Sequence, residues 1–254
     1  MTAMGERVCI VTGAGQGIGR AMALHFAERG VRVVIAEQNA TNAAVVAAEI
    51  AAQGGEARPI TVDVTDPERV RAMVEEARQQ FGRIDILINN ARWTGLAPTR
   101  VADISDADWR RALDVNVTGA FNCVRAVVPL MIGAGWGRII NMSSATVRLP
   151  PARPYVHYIT SKAALIGMTR ALAKELGPHG ITVNALLPGS IETGVARPNP
   201  VTSEERQTRV KAAQAIPQVL QSGDLAGAAF FLGSDEAALI TGQSIAVDGG
   251  MTFG

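Results

Sequence analysis

Val8-Cys9-Ile10-Val11-Thr12-Gly13-Ala14-Gly15-Gln16-Gly17-Ile18-Gly19 is the stretch that decides the fold. An apolar run of β-forming residues enters a glycine turn, and a helical pattern follows from Arg20 to Arg29. Glycine lets the backbone turn tightly and approach a pyrophosphate closely. The start of the next helix offers free N–H groups and the positive end of its dipole to phosphates. The spacing is not G-x-G-x-x-G, because Ile18 stands where that pattern, counted from Gly13, wants its last glycine. It is Thr12-Gly13-x-x-x-Gly17-x-Gly19, which makes Gly13, Gln16, Gly17, Ile18 and Gly19 candidate cofactor contacts. A turn of this composition can also be purely structural.

Working outward, Val31–Ala36 reads as a second strand that ends in Glu37, about twenty residues beyond the turn. A carboxylate there can accept hydrogen bonds from adenosine ribose hydroxyls and would repel a 2'-phosphate. Neither Gln16 nor Gln38 supplies a cation to offset that repulsion, so NAD is expected in preference to NADP. If the turn binds nothing, Glu37 is an ordinary strand-end acid. A short strand, Pro59–Val62, leads to Asp63 and Val64, where Asp63 is either an adenine contact or a turn acid. The helix Pro67–Phe81 then passes through Gly82 to a strand, Ile84–Ile88, that runs into Asn89-Asn90-Ala91. This repeated β-α alternation with short turns predicts a parallel sheet with helices on both faces.

Beyond a loop, Arg92 to Pro98, a long helix starts near Ser105 and carries Asn116 among apolar neighbours. A buried amide left unpaired costs about 1–3 kcal/mol, so Asn116 is expected to have a fixed partner. The strand Gly137–Met142 ends in Ser143-Ser144, at the same sheet edge as the glycine turn. In Tyr158-Ile159-Thr160-Ser161-Lys162 the four-residue spacing puts the phenol and the ammonium on one helix face. At a separation of ~5 Å and an effective dielectric of ~20, Coulomb's law favours phenolate by ~3 kcal/mol, which would bring the phenol near ~8. Taken alone, the same spacing also describes a half-buried surface pair.

The chain has 254 residues, 48% of them hydrophobic and 19% charged, enough for one large domain with a sizeable core. Its net charge of +1, without clustered Lys or Arg, gives no footprint for nucleic acid or an anionic membrane. No signal-like segment or membrane-length apolar run is read from the sequence, and a cytoplasmic protein is expected. Cys9 and Cys123 have no metal-ligand spacing and read as core residues, while His25, His157 and His179 are isolated, so no metal is expected.

Thr12-Gly13-x-x-x-Gly17-x-Gly19, Asn89-Asn90-Ala91, Asn116, Ser144 and Tyr158-x-x-x-Lys162, in this order, resemble the short-chain dehydrogenase/reductase family over essentially the whole chain. The resemblance implies one Rossmann domain over residues 1–254, a doubly wound seven-stranded parallel sheet with helices on both faces, and a homotetramer. It implies that Tyr158 is the catalytic acid/base and Lys162 its partner and ribose anchor. Ser144 would orient the carbonyl and Asn116 would hold a proton-relay water. Asn90 and Ala91 would line the cofactor cleft. Pro188-Gly189-Ser190-Ile191-Glu192-Thr193 is similar to the family's P-G-x-x-x-T, which implies cofactor contacts from Pro188, Gly189, Ile191 and Thr193 at the nicotinamide.

Two departures stand out. Arg92 replaces the glycine that usually follows Asn-Asn-Ala, and Ser144 lies fourteen positions before Tyr158 where the family usually has thirteen. Ala145 occupies the usual count, so the loop between them is expected to absorb the extra residue. The polar, proline-punctuated segment around 190–218 is a candidate lid. Trp93 and Leu149 could line an apolar substrate pocket, whereas Arg92, Arg148 and Arg153 could recognise a carboxylate or phosphate. Other stretches look like the branch of NAD-dependent secondary-alcohol dehydrogenases. The leading expectation is therefore hydride transfer between NAD(H) and a secondary alcohol or ketone, aromatic or cyclic. The alternatives are an NADPH-dependent 3-oxoacyl-carrier-protein reductase and a non-catalytic dinucleotide-sensing protein.

Overall fold

Strand β1 (Val8–Thr12) is buried along its whole length, as expected of a strand covered on both faces. In the computed structural model, which describes residues 4–95, 98–194 and 203–253, it lies inside a seven-stranded parallel sheet, next to the central strand. The order of elements is β1, α1 (Gly17–Ala27), β2 (Arg32–Glu37), α2 (Ala40–Ala52), β3 (Ala57–Thr61), α3 (Pro67–Phe81) and β4 (Ile86–Asn89). Then come α4 (Asp106–Leu113), a π-helical turn (Asp114–Thr118), α5 (Gly119–Ala134), β5 (Gly137–Met142), α6 (Val156–Leu176) and β6 (Ile181–Pro188). A two-residue strand β7 (Ile191–Glu192), α7 (Ser203–Ala213), β8 (Leu220–Gln221), α8 (Ala226–Gly233) and β9 (Ser244–Val247) complete the described chain.

Across the sheet the order is β3-β2-β1-β4-β5-β6-β9, so the direction of winding reverses between β1 and β4. The connections leaving the carboxyl ends of those two strands therefore run to opposite faces of the sheet and leave a crevice, the usual ligand position in an open α/β sheet. Alternate strand residues feed two cores. Cys9 and Val11 face Phe26, Val46 and Leu232 on one side, and Val8 and Ile10 face Met73, Val127 and Leu176 on the other.

Local signals set several element ends. Asp66 accepts from the N–H groups of Glu68 and Arg69, Pro67 takes the first helical position, and Gly82 closes α3 with φ 80°. Each such cap contributes about 1 kcal/mol. Both cysteines are fully buried, and burial pushes the Cys123 thiol up to about 12.

One sequence expectation changes, and a second gains detail. The continuous helical stretch Asp106–Ala134 contains an 18-residue window of mean hydropathy 1.5, long and apolar enough to cross a membrane by length and composition. Here Cys123, Val124, Val127 and Met131 carry that apolar character into the core. The expected lid around 190–218 is not simply a loop. Its described part contains α7 and the β7–β8 pairing, with Arg206 paired to Glu192 and donating to Ser190 Oγ (3.1 Å). Residues 195–202 of that segment lie outside the described residues.

Candidate active site

The crevice between β1 and β4 is an open cleft of about 310 Å3. On one wall the backbone turns through Gly13 (φ 63°) and Gly17 (φ 56°) into α1. The side chain of Gln16 makes no cap hydrogen bond, so the first-turn N–H groups of α1 are left for a ligand. Close packing explains the other glycines. A Cβ on Gly19 would stand 2.3 Å from the Gly13 carbonyl oxygen and 2.5 Å from Asn90 Nδ2, and one on Gly15 would stand 2.7 Å from Glu37 Cγ. Asn90 seals the joint, since its Nδ2 donates to the Thr12 and Gly13 carbonyls (2.9 and 3.1 Å). The backbone N–H groups of Asn90 and Ala91 donate to Thr12 Oγ1, both at 3.0 Å. A dinucleotide fits this cradle, because it presents uncapped amides and has no room there for side chains.

Glu37, at the end of β2, accepts from the N–H groups of Gly15 and Asn39, both at 3.1 Å. Its carboxylate is thus fixed beside the turn. Asp63 accepts from Thr65 N and Thr65 Oγ1 (2.9 and 2.7 Å), from Gln38 Nε2 (3.1 Å), and faces Arg111 at 3.7 Å. Partial burial pushes its carboxyl up, but the Thr65 bonds and the Arg111 charge outweigh that and hold it below its usual value. Gly13, Gln16, Gly17, Ile18, Glu37, Asp63, Val64, Asn90 and Ala91 all line the cleft, as expected from sequence. Arg92 and Trp93 line it too. Sequence reading missed Arg111 and Val115, which stand one helical turn apart on the opposite wall.

At the end of β5, Lys162 is fully buried and its Nζ donates to the Met142 carbonyl at 2.6 Å. The ammonium lies 5.8 Å from the centroid of the Tyr158 ring. Burial, and then the Arg92 charge, lower Lys162 from 10.5 to about 7. Without a ligand, therefore, the buried lysine holds its proton less firmly than a free one, which qualifies the expectation of a cation beside the phenol. Ser143 Oγ donates to the Lys162 carbonyl (2.8 Å) and ties β5 to α6.

Ser144 is buried, and its Oγ accepts from Thr146 N (3.2 Å) and Thr146 Oγ1 (2.9 Å). The two hydroxyls share one hydrogen bond, so a turn of the Ser144 rotor can aim its O–H at a ligand. The next residues, Ala145–Val147, form a 3-10 turn that Leu149 N closes onto the Ala145 carbonyl. Ala145 is buried and has no hydroxyl, and the loop that follows this turn holds the extra residue before Tyr158.

Asn116 does have fixed partners, but they are backbone and serine groups. Its Oδ1 accepts from Trp93 N (2.6 Å), and its Nδ2 donates to the Trp93 carbonyl (3.1 Å) and to Ser161 Oγ (2.9 Å). Ser161 Oγ in turn donates to the Tyr158 carbonyl (2.7 Å). The side chain expected to hold a relay water is committed to clamping the loop after β4 onto α6. The π-helical turn around it aims it there.

The apolar pocket expected from sequence is only partly assembled. Leu149 is half exposed and does not reach the cleft. Arg148 is used elsewhere, donating to the Ser244 carbonyl at 2.7 Å, and Arg153 lies over the Tyr155 ring. Beside Trp93, His157 is completely buried between the Trp93 and Tyr155 rings, and neither ring nitrogen has a hydrogen-bond partner among the described residues. Burial lowers its pKa, offset in part by Asp108. Pro188 at the end of β6, and Gly189, Ile191 and Thr193 after it, lie on the far side of β5 and do not line the 310 Å3 cleft. Gly189 must be glycine, because a Cβ there would lie 2.8 Å from Asp248 Cα.

A family profile described as Enoyl-(Acyl carrier protein) reductase matches residues 13–252. The chain belongs to the short-chain dehydrogenase/reductase family. Within this family it is similar to a 3-oxoacyl-[acyl-carrier-protein] reductase of Synechocystis sp., with 40% identity over all of both chains. It shares 37% identity with a 3-oxoacyl-[acyl-carrier-protein] reductase of Thermotoga maritima, covering 97% of this chain and 98% of the relative. A solved 3-oxoacyl-[acyl-carrier protein] reductase with bound NAD from Brucella melitensis superposes with a TM-score of 0.88 at 34% identity, covering 97% of this chain and 92% of that one. The protein is thus a short-chain oxidoreductase of a family that uses a nicotinamide cofactor. These relatives favour the acyl-thioester reading over the secondary-alcohol branch suggested by short stretches of sequence.

Proposed function

We propose that this protein is an NAD(H)-dependent reductase that interconverts a 3-oxoacyl thioester and the corresponding 3-hydroxyacyl thioester. The observation that carries the cofactor half is Glu37. Its carboxylate is held by two backbone amides beside the glycine turn, ready to accept ribose hydroxyls and unable to admit a 2'-phosphate without like-charge repulsion. The substrate half is supported by relatives named for that activity that cover the chain end to end. A simple secondary alcohol or ketone is the second reading, supported by the aromatic wall of Trp93.

The residues allow the chemistry to be derived. Gly13, Gln16, Gly17, Ile18 and Glu37 would hold the dinucleotide, with Asp63 and Val64 at the adenine. Pro188, Gly189, Ile191 and Thr193 would meet the nicotinamide, and Lys162 the ribose. When bound, the nicotinamide supplies or accepts the hydride. Ser144, whose hydroxyl is held by Thr146 at the end of β5, donates to the substrate carbonyl oxygen and stabilises the charge that develops there. Tyr158 delivers the proton to that oxygen, and the Lys162 ammonium stabilises the phenolate left behind. Asn116 positions the Trp93 loop against this group. Assembly as a homotetramer belongs to the same proposal.

The test is NADH oxidation with acetoacetyl thioesters, set against NAD reduction with a panel of aromatic and cyclic secondary alcohols. Turnover of the thioester alone, or by far the faster, is expected. Faster alcohol turnover would hand the substrate to the second reading, and tight NADH binding with no turnover would favour a non-catalytic sensor.

A further inference from the structure

The charges that line the cleft balance in number but not in pairing. Two carboxylates and two guanidiniums border it: Glu37, Asp63, Arg92 and Arg111. Glu37 is taken up by the N–H groups of Gly15 and Asn39, and Arg111 faces Asp63 at 3.7 Å. Arg92 is exposed, and among the described residues it makes no ion pair or hydrogen bond. An arginine in the open normally finds a carboxylate or lies along a surface. This one instead borders the same cleft as the uncapped amides of Gly17 and Ile18.

We propose that Arg92 is a phosphate-recognising residue, which binds the pyrophosphate of the dinucleotide from the loop after β4, beside the glycine turn. The inference rests on the dinucleotide reading of the cleft and adds a second anchor to it. The glycine turn offers only amide dipoles to the phosphates, whereas a guanidinium offers a full charge and a planar fork that matches phosphate oxygens. The placement has a second consequence. The Arg92 charge repels that of Lys162, and an anion bound at Arg92 would offset that repulsion and favour the ammonium that the phenol needs.

The test is equilibrium binding to the full-length protein, with R92Q and R92K compared with wild type. The probes are NADH and ADP-ribose, which carry the pyrophosphate, and adenosine, which lacks it. Because Arg92 is exposed, both variants are expected to fold, and a thermal melt checks this. R92Q should weaken NADH and ADP-ribose by about ten-fold or more, the loss of a charge-assisted contact, and leave adenosine unchanged. R92K should fall between, keeping the charge but losing the fork. The salt dependence of NADH binding should also flatten in R92Q. Equal binding of NADH by wild type and R92Q would overturn the inference. So would unchanged NADH binding with a raised KM confined to acidic substrates, which would assign Arg92 to the substrate. If wild type binds neither NADH nor NADPH, the cofactor reading itself fails, a result separate from either of these.

Discussion

The adenosine half of the cleft and the substrate half are built in different ways. In the first, short-range backbone geometry does almost everything: two positive-φ glycines, a helix start and strand-end acids held by neighbouring amides. In the second, side chains far apart in sequence must meet. Asn116 clamps Trp93 and Ser161, 23 and 45 residues away, and Lys162 reaches back twenty residues to the Met142 carbonyl. One half is fixed by the winding of the sheet, and the other by how loops dock on α6. The two halves should therefore fail separately when residues are replaced.

The largest expected separation is at Tyr158. Tyr158→Phe should lower turnover by roughly 10^3-fold, within the usual range for a removed general acid, and leave the dissociation constant of NADH nearly unchanged. Stopped-flow hydride transfer and NADH fluorescence read the two quantities. Near-normal turnover would reject the proton-transfer role.

Asn116→Ala tests the docking of the substrate half. It leaves the Trp93 N–H and carbonyl and the Ser161 hydroxyl without the partner they have here, at a cost of about 2–3 kcal/mol in chemical denaturation. Adenosine affinity should hold while turnover falls. Equal losses in both would mean that the cleft behaves as one unit.

Lys162→Met probes the cost of burying the ammonium. The lysine is held near 7 when folded against an ordinary 10.5, so between those values the unfolded chain binds the extra proton and stability rises with pH. Below about pH 7 both states are protonated and the full penalty remains. Without cofactor, Lys162→Met should be inactive yet more stable than wild type, by on the order of 1–3 kcal/mol at neutral pH. The gain should shrink toward pH 10, as urea midpoints at several pH values would show. A pH-independent loss of stability would contradict the assignment.

The same contrast explains what was legible in the sequence. The glycine turn, the strand-end Glu37 and the caps at Asp66 and Gly82 are local signals, and α3 spans Pro67–Phe81 as the spacing predicts. The parallel sheet with helices on both faces followed from β-α alternation, whereas the order of its strands did not. The use of Asn116 on backbone groups, the loss of Arg148 to the Ser244 carbonyl 96 residues away, and the placing of Arg111 beside Asp63 depend on tertiary packing and have no local signal. Ser161 could have been suspected, since it lies on α6 between Tyr158 and Lys162. The helix α7 was hidden because its residues are polar on every side and show no apolar periodicity.

The central claim is that the adenosine half is closed to a 2'-phosphate by the Glu37 carboxylate. The most direct measurement is the pair of dissociation constants for NADH and NADPH on wild-type protein, by fluorescence titration at one salt concentration, repeated with Glu37→Ala. The account predicts NADH tighter by at least about ten-fold in wild type, with the ratio moving toward one in the variant. Equal or tighter binding of NADPH by wild type would contradict it.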